Sequence, residues 1–145
     1  MKSRALITGA SSGIGFAYAK HLSKEGWVLD LISENEERSI RSKEALDYLD
    51  ANFYLSDLSK KSSIKEIISN YEAPDLIVAN AGIAINGSIG KLGASQKEDA
   101  YYLMCGGVID LIEGFVPKMI KKGSGRIVII SVSYTHLTLP TIYSV

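Results

Sequence analysis

Three glycines stand close together near the start of the chain, within the sequence Thr-Gly-Ala-Ser-Ser-Gly-Ile-Gly at residues 8–15. Backbone N–H groups at a helix start, together with the helix dipole, favour a bound anion. We expect Gly9 to permit a tight turn, Gly13 to leave room for a pyrophosphate, and Gly15 to let the following helix lie close on the sheet. The spacing G-x-x-x-G-x-G differs from the G-x-G-x-x-G fingerprint and from the P-loop, so alone it also fits an ordinary tight turn.

The elements around this loop indicate how it is positioned. The apolar run Arg4 to Thr8 predicts a buried strand, and Phe16 to Lys24 predicts a helix that ends at Gly26. Further strands are predicted at 27–32, 52–55, 75–79 and 126–131, and further helices at 36–49, 60–71 and about 96–122. Because the strands are continuous apolar runs that alternate with helices, the sequence predicts an α/β fold, a doubly wound Rossmann-type parallel sheet.

Polar residues follow the carboxyl ends of these strands. Glu34 lies about twenty positions beyond the glycines, where an acidic residue can bind an adenosine ribose, but it also begins a charged stretch that would equally face water. Asp57 either caps the next helix or accepts a hydrogen bond from an adenine amino group. The residues Asn80-Ala81-Gly82 form the predicted turn after the fourth strand.

The composition excludes several classes of protein. The 145 residues carry no net charge and 46% are hydrophobic, which is typical of one soluble globular domain. Interspersed charges give no indication of nucleic-acid binding, and no apolar run reaches membrane-spanning length, so we expect a cytoplasmic protein. The single cysteine, Cys105, is expected to be a small buried hydrophobe, and His21 and His136 indicate no metal site.

Four motifs together resemble the short-chain dehydrogenase/reductase family. They are the loop at residues 8–15, Asp57-Leu58 after the third strand, Asn80-Ala81-Gly82 after the fourth, and Gly-Arg-Ile-Val at 125–128 entering the fifth. The resemblance covers residues 4–131. It implies an NAD(P)-dependent oxidoreductase that transfers hydride between nicotinamide and a small-molecule alcohol or ketone. The alternative is a non-catalytic NAD(P)-binding module of the same fold.

The resemblance also implies which residues bind the dinucleotide. The glycine loop would line the diphosphate, Asp57-Leu58 would hold the adenine, and Asn80-Ala81 would lie beside the nicotinamide ribose. The predicted cofactor-binding residues are Gly9, Ser11, Ser12, Gly13, Ile14, Gly15, Ser33, Asp57, Leu58, Asn80, Ala81 and Gly82.

Two departures from the family pattern bear on the cofactor and on catalysis. Ser33 stands where NAD-preferring members carry Asp, whereas Ser12 and Glu34 stand where NADP-preferring members carry a basic residue. The choice between NAD and NADP therefore stays open. Counting back from Pro117 and Arg126 places Met104 where the family has an asparagine that helps to hold a water in its proton relay, and a methionine side chain cannot do this. Either the parent uses a modified relay or the local alignment is shifted.

The last fourteen residues do not resemble the family. Ser131 matches the residue before the catalytic serine, whose position holds Val132, and residues 132–141 resemble one reading frame of a transposon-end sequencing adapter. We interpret Tyr143-Ser144, which resembles the start of the family's Tyr-Ser-x-x-Lys, as coincidence. We therefore expect residues 1–131 to be an incomplete NAD(P)-binding domain, truncated after the fifth strand, and 132–145 to be a non-native tail. No catalytic residue is predicted, the chain alone is expected to be inactive, and its parent is expected to be a homodimer or homotetramer.

Overall fold

A computed structural model describes residues 2–46, 50–83 and 91–131, in which strands and helices alternate. The strands are β1 (Arg4–Thr8), β2 (Val28–Ser33), β3 (Ala51–Leu55), β4 (Leu76–Ala79) and β5 (Arg126–Ile129). The helices are α1 (Gly13–Lys24), α2 (Glu36–Ala45), α3 (Lys61–Asn70), α4 (Ala94–Tyr101) and α5 (Gly107–Lys122), with a π-helical segment, Tyr102–Gly106, between the last two.

The five strands form one parallel sheet in the order β3-β2-β1-β4-β5. After β3 the chain crosses to the other side of β1, so the strand order reverses between β1 and β4. In open α/β sheets the crevice above such a switch point is where ligands bind. The predicted doubly wound parallel sheet is confirmed.

Both faces of the sheet are covered by apolar side chains, because successive strand residues point to opposite faces. One core packs β1, β2 and β4 against α1, and its fully buried members include Ala5, Ile7, Ala19, Leu29, Leu31 and Val78. The other core packs the opposite face against α3 and α5, and its members include Leu6, Ile32, Ile64, Ile77, Leu111 and Phe115. This double coverage explains why the strands are continuous apolar runs.

One ion pair interrupts the apolar sheet. The carboxylate of Asp30, which is only 1% exposed, accepts hydrogen bonds from Arg4 Nη1 at 2.8 Å and from Asn52 Nδ2 at 3.2 Å. The same contact raises the pKa of Arg4. These two partners offset the cost of removing the carboxylate from water.

The buried face of α2 differs from a simple apolar stripe. Ile40 is 53% exposed, whereas Ser39 and Ser42 are buried. Ser42 Oγ donates to the backbone carbonyl of Ser11 at 2.8 Å, so α2 packs a hydroxyl face against the glycine loop. The helix ends at Ala45 rather than Leu49, and residues 47–49 lie outside the described residues.

The long helix predicted at 96–122 is confirmed from Ala94 to Lys122, but with a π-helical segment inside it. The Tyr102 ring lies against Gly106, where a Cβ would come within 2.8 Å of the ring, and the Tyr102 hydroxyl donates to Asp110 at 2.7 Å. The prediction that Cys105 is buried was wrong, because this segment turns it to solvent. Within the described ranges, no helix is both long and apolar enough to cross a membrane.

Expectations for two other stretches concern residues that the structure does not describe. The predicted glycine-bearing loop from Ile83 to Ser95 includes residues 84–90, which lie outside the described ranges. The expected tail at 132–145, with Val132, His136, Tyr143 and Ser144, lies outside them as well.

Candidate functional site

A cavity of about 250 Å³ lies at the carboxyl ends of β1, β2 and β4, above the switch point of the sheet. The structure brings most of the predicted binding residues to it. Those that line the cavity are Gly9, Ser11, Ser12, Gly13, Ile14, Ser33, Leu58, Asn80, Ala81 and Gly82. Gly15 and Asp57 are not among its lining residues.

The first turn of α1 borders this cavity, and its leading backbone N–H groups have no hydrogen-bond partner among residues 2–46, 50–83 and 91–131. Its N-cap residue, Ser12, is extended and makes no capping hydrogen bond through its side chain. The first helical hydrogen bond runs from the Phe16 N–H to the Ser12 carbonyl at 3.2 Å. The N–H groups of residues 13–15 come before it and therefore have no acceptor within the helix. The first turn carries no acidic side chain. This end of α1 therefore presents N–H groups and the positive end of the helix dipole to the cavity.

The loop glycines serve different geometric needs. Gly13 has a positive φ of +56°, and a Cβ built on it meets no atom within 4 Å, so the space above it is open to a ligand. Gly9 has a φ of +63°, and a Cβ there would lie 2.9 Å from Ala81 Cα. A Cβ on the buried Gly15 would lie 2.4 Å from the Gly9 carbonyl oxygen, so its closest contact is with the loop rather than with the strands.

The cavity has two rims, the glycine loop after β1 and the turn at residues 80–82 after β4. Hydrogen bonds of Thr8 and Asn80 link these rims. Thr8 Oγ1 accepts hydrogen bonds from the backbone N–H groups of Asn80 at 2.9 Å and Ala81 at 3.0 Å. In return, Asn80 Nδ2 donates to the carbonyl oxygens of Thr8 and Gly9, both at 3.2 Å. The side-chain amide of Asn80 is therefore used to fix the glycine loop.

Serine hydroxyls connect the glycine loop to the end of β2. Ser33 Oγ donates to Ser11 Oγ at 2.7 Å and accepts the Asn35 N–H at 3.3 Å. Ser33 is 5% exposed but still lines the cavity. Small neutral hydroxyl groups therefore join the loop to the end of β2, where the charged residues Glu34 and Arg38 also line the cavity.

The carboxylate of Asp57 is used within its own turn. It accepts hydrogen bonds from Ser59 Oγ at 2.6 Å and from the Ser59 N–H at 2.9 Å, and the hydroxyl contact lowers the pKa of Asp57 below its usual value. Asp57 does not cap α3, because the N-cap residue of that helix is Lys60 and its first turn has no side-chain capping hydrogen bond. The adenine role stays a prediction. The neighbouring Leu58 does line the cavity.

Several lining residues were not identified from the sequence. They are Ile32, Asn35, Arg38, Ser56, Ile83 and Leu103. Arg38 lies in the first turn of α2, where the Asn35 side chain accepts its backbone N–H at 2.8 Å. The signal for Arg38 was available, since the start of α2 follows β2 directly and must lie at the same edge of the sheet.

Met104 lies in the π-helical segment near the β4 rim. Its Cγ is 4.0 Å from where a Cβ on Gly82 would stand, and the residue is 45% exposed. Its neighbour Leu103 is buried and lines the cavity. Apolar side chains of the π-helical segment therefore lie beside the turn after β4, and the equivalence of Met104 to the family's relay asparagine stays a prediction.

The sequence model of a family described as short chain dehydrogenase matches residues 3–144. The chain belongs to the short-chain dehydrogenase family. The resemblance seen in the four motifs is thereby confirmed.

Curated relatives of this short-chain dehydrogenase chain include two bacterial proteins. A 3-oxoacyl-(acyl-carrier-protein) reductase FabG from Buchnera aphidicola is 32% identical over 139 residues, covering 90% of this chain and 56% of the relative. An uncharacterized oxidoreductase from Staphylococcus epidermidis is 31% identical over 128 residues, covering 86% of this chain and 55% of the relative. The chain thus spans about half the length of the curated relatives it matches.

Solved structures of the family share the fold. A short-chain dehydrogenase from Sphingobium yanoikuyae, in complex with NADPH, superposes with a TM-score of 0.80 at 25% identity, covering 89% of this chain and 53% of that one. The L-sorbose reductase from Gluconobacter frateurii, complexed with NADPH and L-sorbose, superposes with a TM-score of 0.77 at 26% identity, covering 88% of this chain and 51% of that one.

Proposed function

We propose that this chain forms the dinucleotide-binding part of an NAD(P)-dependent oxidoreductase that transfers hydride between nicotinamide and a small-molecule alcohol or ketone. The observation that carries the proposal is the uncapped first turn of α1, with open space above Gly13, at the switch point of the sheet. The NADPH complexes of two related proteins support the choice of ligand class.

The chain's own groups suit such a ligand. The N–H groups at the start of α1 and the hydroxyls of Ser11 and Ser12 would bind the diphosphate, because they are donors without an opposing carboxylate in that turn. Asn80 would keep the loop in the binding conformation through its two carbonyl contacts. Leu58 and Ala81 would contact the flat apolar faces of the ligand. When bound, NAD(P) supplies or accepts the hydride at C4 of the nicotinamide.

We propose further that the 145-residue chain binds the dinucleotide but does not catalyse the reaction. The resemblance implies an acid/base tyrosine in a Tyr-x-x-x-Lys motif, and the sequence contains no tyrosine followed by lysine at that spacing. A second candidate, a non-catalytic NAD(P)-binding module, is favoured by Met104 at the relay position. A Tyr-x-x-x-Lys motif in a longer gene product would favour the enzyme, and its absence there would favour the module.

The test is a titration of the purified chain with NADH and NADPH, followed by nicotinamide fluorescence. Two alanine variants sharpen it. Gly13 and Gly26 both have a positive φ and no atom within 4 Å of a built Cβ, but only Gly13 lines the cavity. Both substitutions should therefore cost similar stability, about 1–2 kcal/mol from the left-handed backbone. We expect Gly13→Ala alone to weaken binding, by about tenfold or more, because its methyl group would occupy the diphosphate position.

Two results would overturn this proposal. The first is no binding of either dinucleotide by a chain whose circular dichroism shows a folded α/β protein. The second is equal binding by Gly13→Ala and Gly26→Ala, which would separate the ligand from the glycine loop.

We also propose that the parent assembles into homodimers or homotetramers. On α5, Ile109 is 56% exposed and Ile120 is 74% exposed, so this helix carries apolar side chains that a second copy would cover. Light scattering of the parent protein tests this, and a monomer at micromolar concentration would contradict it.

A further inference from the structure

A second cavity, of about 610 Å³, lies at the outer edge of the sheet. It is lined by residues of the edge strand β3, by the second half of α3, and by Tyr71 and Glu72 directly after that helix. Among its described lining residues, Ser56 is the one shared with the cavity at the switch point. Sites for small molecules commonly enclose roughly 300–1,000 Å³. This cavity is therefore large enough for a ligand of its own.

Two tyrosine rings stand at right angles in its wall. The ring centroids of Tyr54 and Tyr71 are 5.0 Å apart, and the ring planes cross at 88°. Tyr54 is 39% exposed and Tyr71 is half-buried, so the two rings leave aromatic surface open to a ligand. The face of an aromatic ring carries negative electrostatic potential and attracts cations.

Carboxylates add negative charge to this aromatic wall. Glu66 and Glu72 line the cavity, are exposed, and take part in no ion pair within the part of the chain that the structure describes. Burial and the Tyr54 hydroxyl raise the pKa of the Tyr71 phenol, and the negative charges of Asp30 and Glu66 raise it further. The same negative potential that disfavours a phenolate here favours a bound cation.

Arg4 also lines the cavity and would oppose a cation, so its effect has to be weighed. Arg4 Nη1 lies 2.8 Å from Oδ2 of Asp30, which is 1% exposed, so the guanidinium is offset by a carboxylate of its own. Glu66 and Glu72 therefore leave the cavity negative. Exposed carboxylates alone attract a cation weakly, but here they lie beside aromatic surface that attracts the same charge.

The wall suits an alkylated ammonium group better than a metal ion. The described residues contain no group of three or more His, Cys, Asp or Glu side chains that could hold a metal ion. Hard metal cations require several oxygen ligands, whereas a quaternary ammonium group has no N–H to pair and binds against the faces of aromatic rings. Leu55 and Ile67 would contact its alkyl groups.

We propose that this second cavity binds a small organic cation of the quaternary-ammonium class. The ammonium group lies against the rings of Tyr54 and Tyr71, and Glu66 and Glu72 balance its charge. The inference does not rest on the proposed function, because the dinucleotide occupies the other cavity.

The test is a titration of the 145-residue chain with choline, followed by the NMR signal of the choline N-methyl protons. The control ligand is 3,3-dimethyl-1-butanol, a neutral isostere in which carbon replaces the charged nitrogen, so it reports shape and apolar contact alone. We expect saturable binding of choline and an upfield shift of its N-methyl signal from the ring currents. The isostere should bind about fivefold more weakly or worse, because it lacks the attraction to the rings and carboxylates.

Paired variants assign the binding groups. The double variant Glu66→Gln/Glu72→Gln should weaken choline binding about fivefold or more. The matched control, Glu98→Gln/Glu113→Gln, removes the same charge from exposed positions that line neither cavity, and should leave binding within about twofold. Tyr54→Leu should abolish the upfield shift, whereas Tyr54→Phe keeps the ring and should retain choline binding.

Three results would overturn the inference. They are no saturable binding of choline, equal affinity for choline and its isostere, and equal losses in the Glu66/Glu72 and Glu98/Glu113 double variants. Circular dichroism checks that each variant is folded, and the glutamate variants decide the outcome if Tyr54→Leu does not fold. Competition between NADPH and choline would place choline in the other cavity and would also overturn the inference. Failure of the chain to bind either dinucleotide would overturn the proposed function and leave this site standing.

Discussion

The side-chain nitrogen of Asn80 lies 3.2 Å from the carbonyl oxygen of Gly9, although the two residues are 71 positions apart in the chain. The same nitrogen contacts the Thr8 carbonyl oxygen at 3.2 Å. The β4 turn therefore holds the glycine loop through one amide group. The N–H groups of this amide donate to two backbone carbonyls. A variant without the amide leaves the carbonyls of Thr8 and Gly9 either hydrogen-bonded to water or without a partner.

We predict that Asn80→Ala lowers the free energy of unfolding by about 1–3 kcal/mol, because two hydrogen bonds to partly buried carbonyls are lost. Asn80→Asp should be worse, since it places a carboxylate oxygen against two carbonyl oxygens. Urea unfolding followed by circular dichroism measures both. Asn70→Ala, at the exposed end of α3, is the control and should change stability by less than about 0.5 kcal/mol. Equal losses of unfolding free energy in Asn70→Ala and Asn80→Ala would contradict the prediction that Asn80 stabilises the glycine loop.

The Arg4–Asp30 pair predicts a double-mutant result. Asp30→Leu alone leaves the half-buried guanidinium without its carboxylate, and we expect it to cost about 2–3 kcal/mol, because Arg4 stays partly exposed to water. Adding Arg4→Met should recover part of this loss, because an apolar pair needs no desolvation of charge. Thermal and urea unfolding of the single and double variants give the coupling free energy, and a coupling of zero would contradict the pairing.

Acid stability should depend on Asp75. Its carboxylate accepts hydrogen bonds from Lys122 Nζ and from the Arg4 N–H, which lower the pKa of Asp75 below its usual value. A group with a lowered folded-state pKa contributes stability above its unfolded pKa of about 3.9 and loses it as the pH falls toward the folded value. We therefore predict that Asp75→Asn reduces the fall of unfolding free energy below about pH 4. Glu113→Gln, an exposed carboxylate on α5, controls for net charge. An unchanged pH profile in Asp75→Asn would contradict the assignment.

The π-helical segment should depend on Tyr102 and not on its neighbour Tyr101. Tyr102→Phe removes the 2.7 Å hydrogen bond to Asp110 and should cost about 1 kcal/mol, whereas Tyr101 is 70% exposed and its Phe variant should be nearly neutral. Burial and the Asp110 contact raise the pKa of Tyr102 to about 12. The unfolded state then loses this proton first, so stability should fall between about pH 10 and 12 in the native chain, and less in Tyr102→Phe. Identical alkaline profiles would disprove this role.

We propose that residues 132–145 are translated adapter sequence, and this prediction is tested on DNA. Amplifying the source genome across codon 131 should give a different sequence from codon 132 onward. The same codons in genomic DNA would show that the adapter hypothesis is wrong.

The fold was predictable from the sequence because each strand is a short apolar run that ends in a polar or glycine-rich turn. The glycine loop and the residues at Asn80 were predictable for the same reason, as parallel strands deliver their ends to one edge. Leu103 could not be assigned by that reasoning, since it reaches the cavity from the π-helical segment rather than from a strand end. The π-helical segment was not predicted, because one widened turn within a long helix cannot be recognised from the spacing of its apolar residues.

Because β1 lies between β2 and β4, the cavity can form during folding only when β1 has paired with both of them. The β1–β2 pair joins residues about 24 apart, whereas the β1–β4 pair joins residues 71 apart and is entropically slower to close. The two rims of the crevice therefore belong to parts of the chain that come together at different times. During synthesis the glycine loop leaves the ribosome well before Asn80, so a nascent chain carries this loop without its brace. A dinucleotide that binds across both rims would act on the later closure step and slow its reopening.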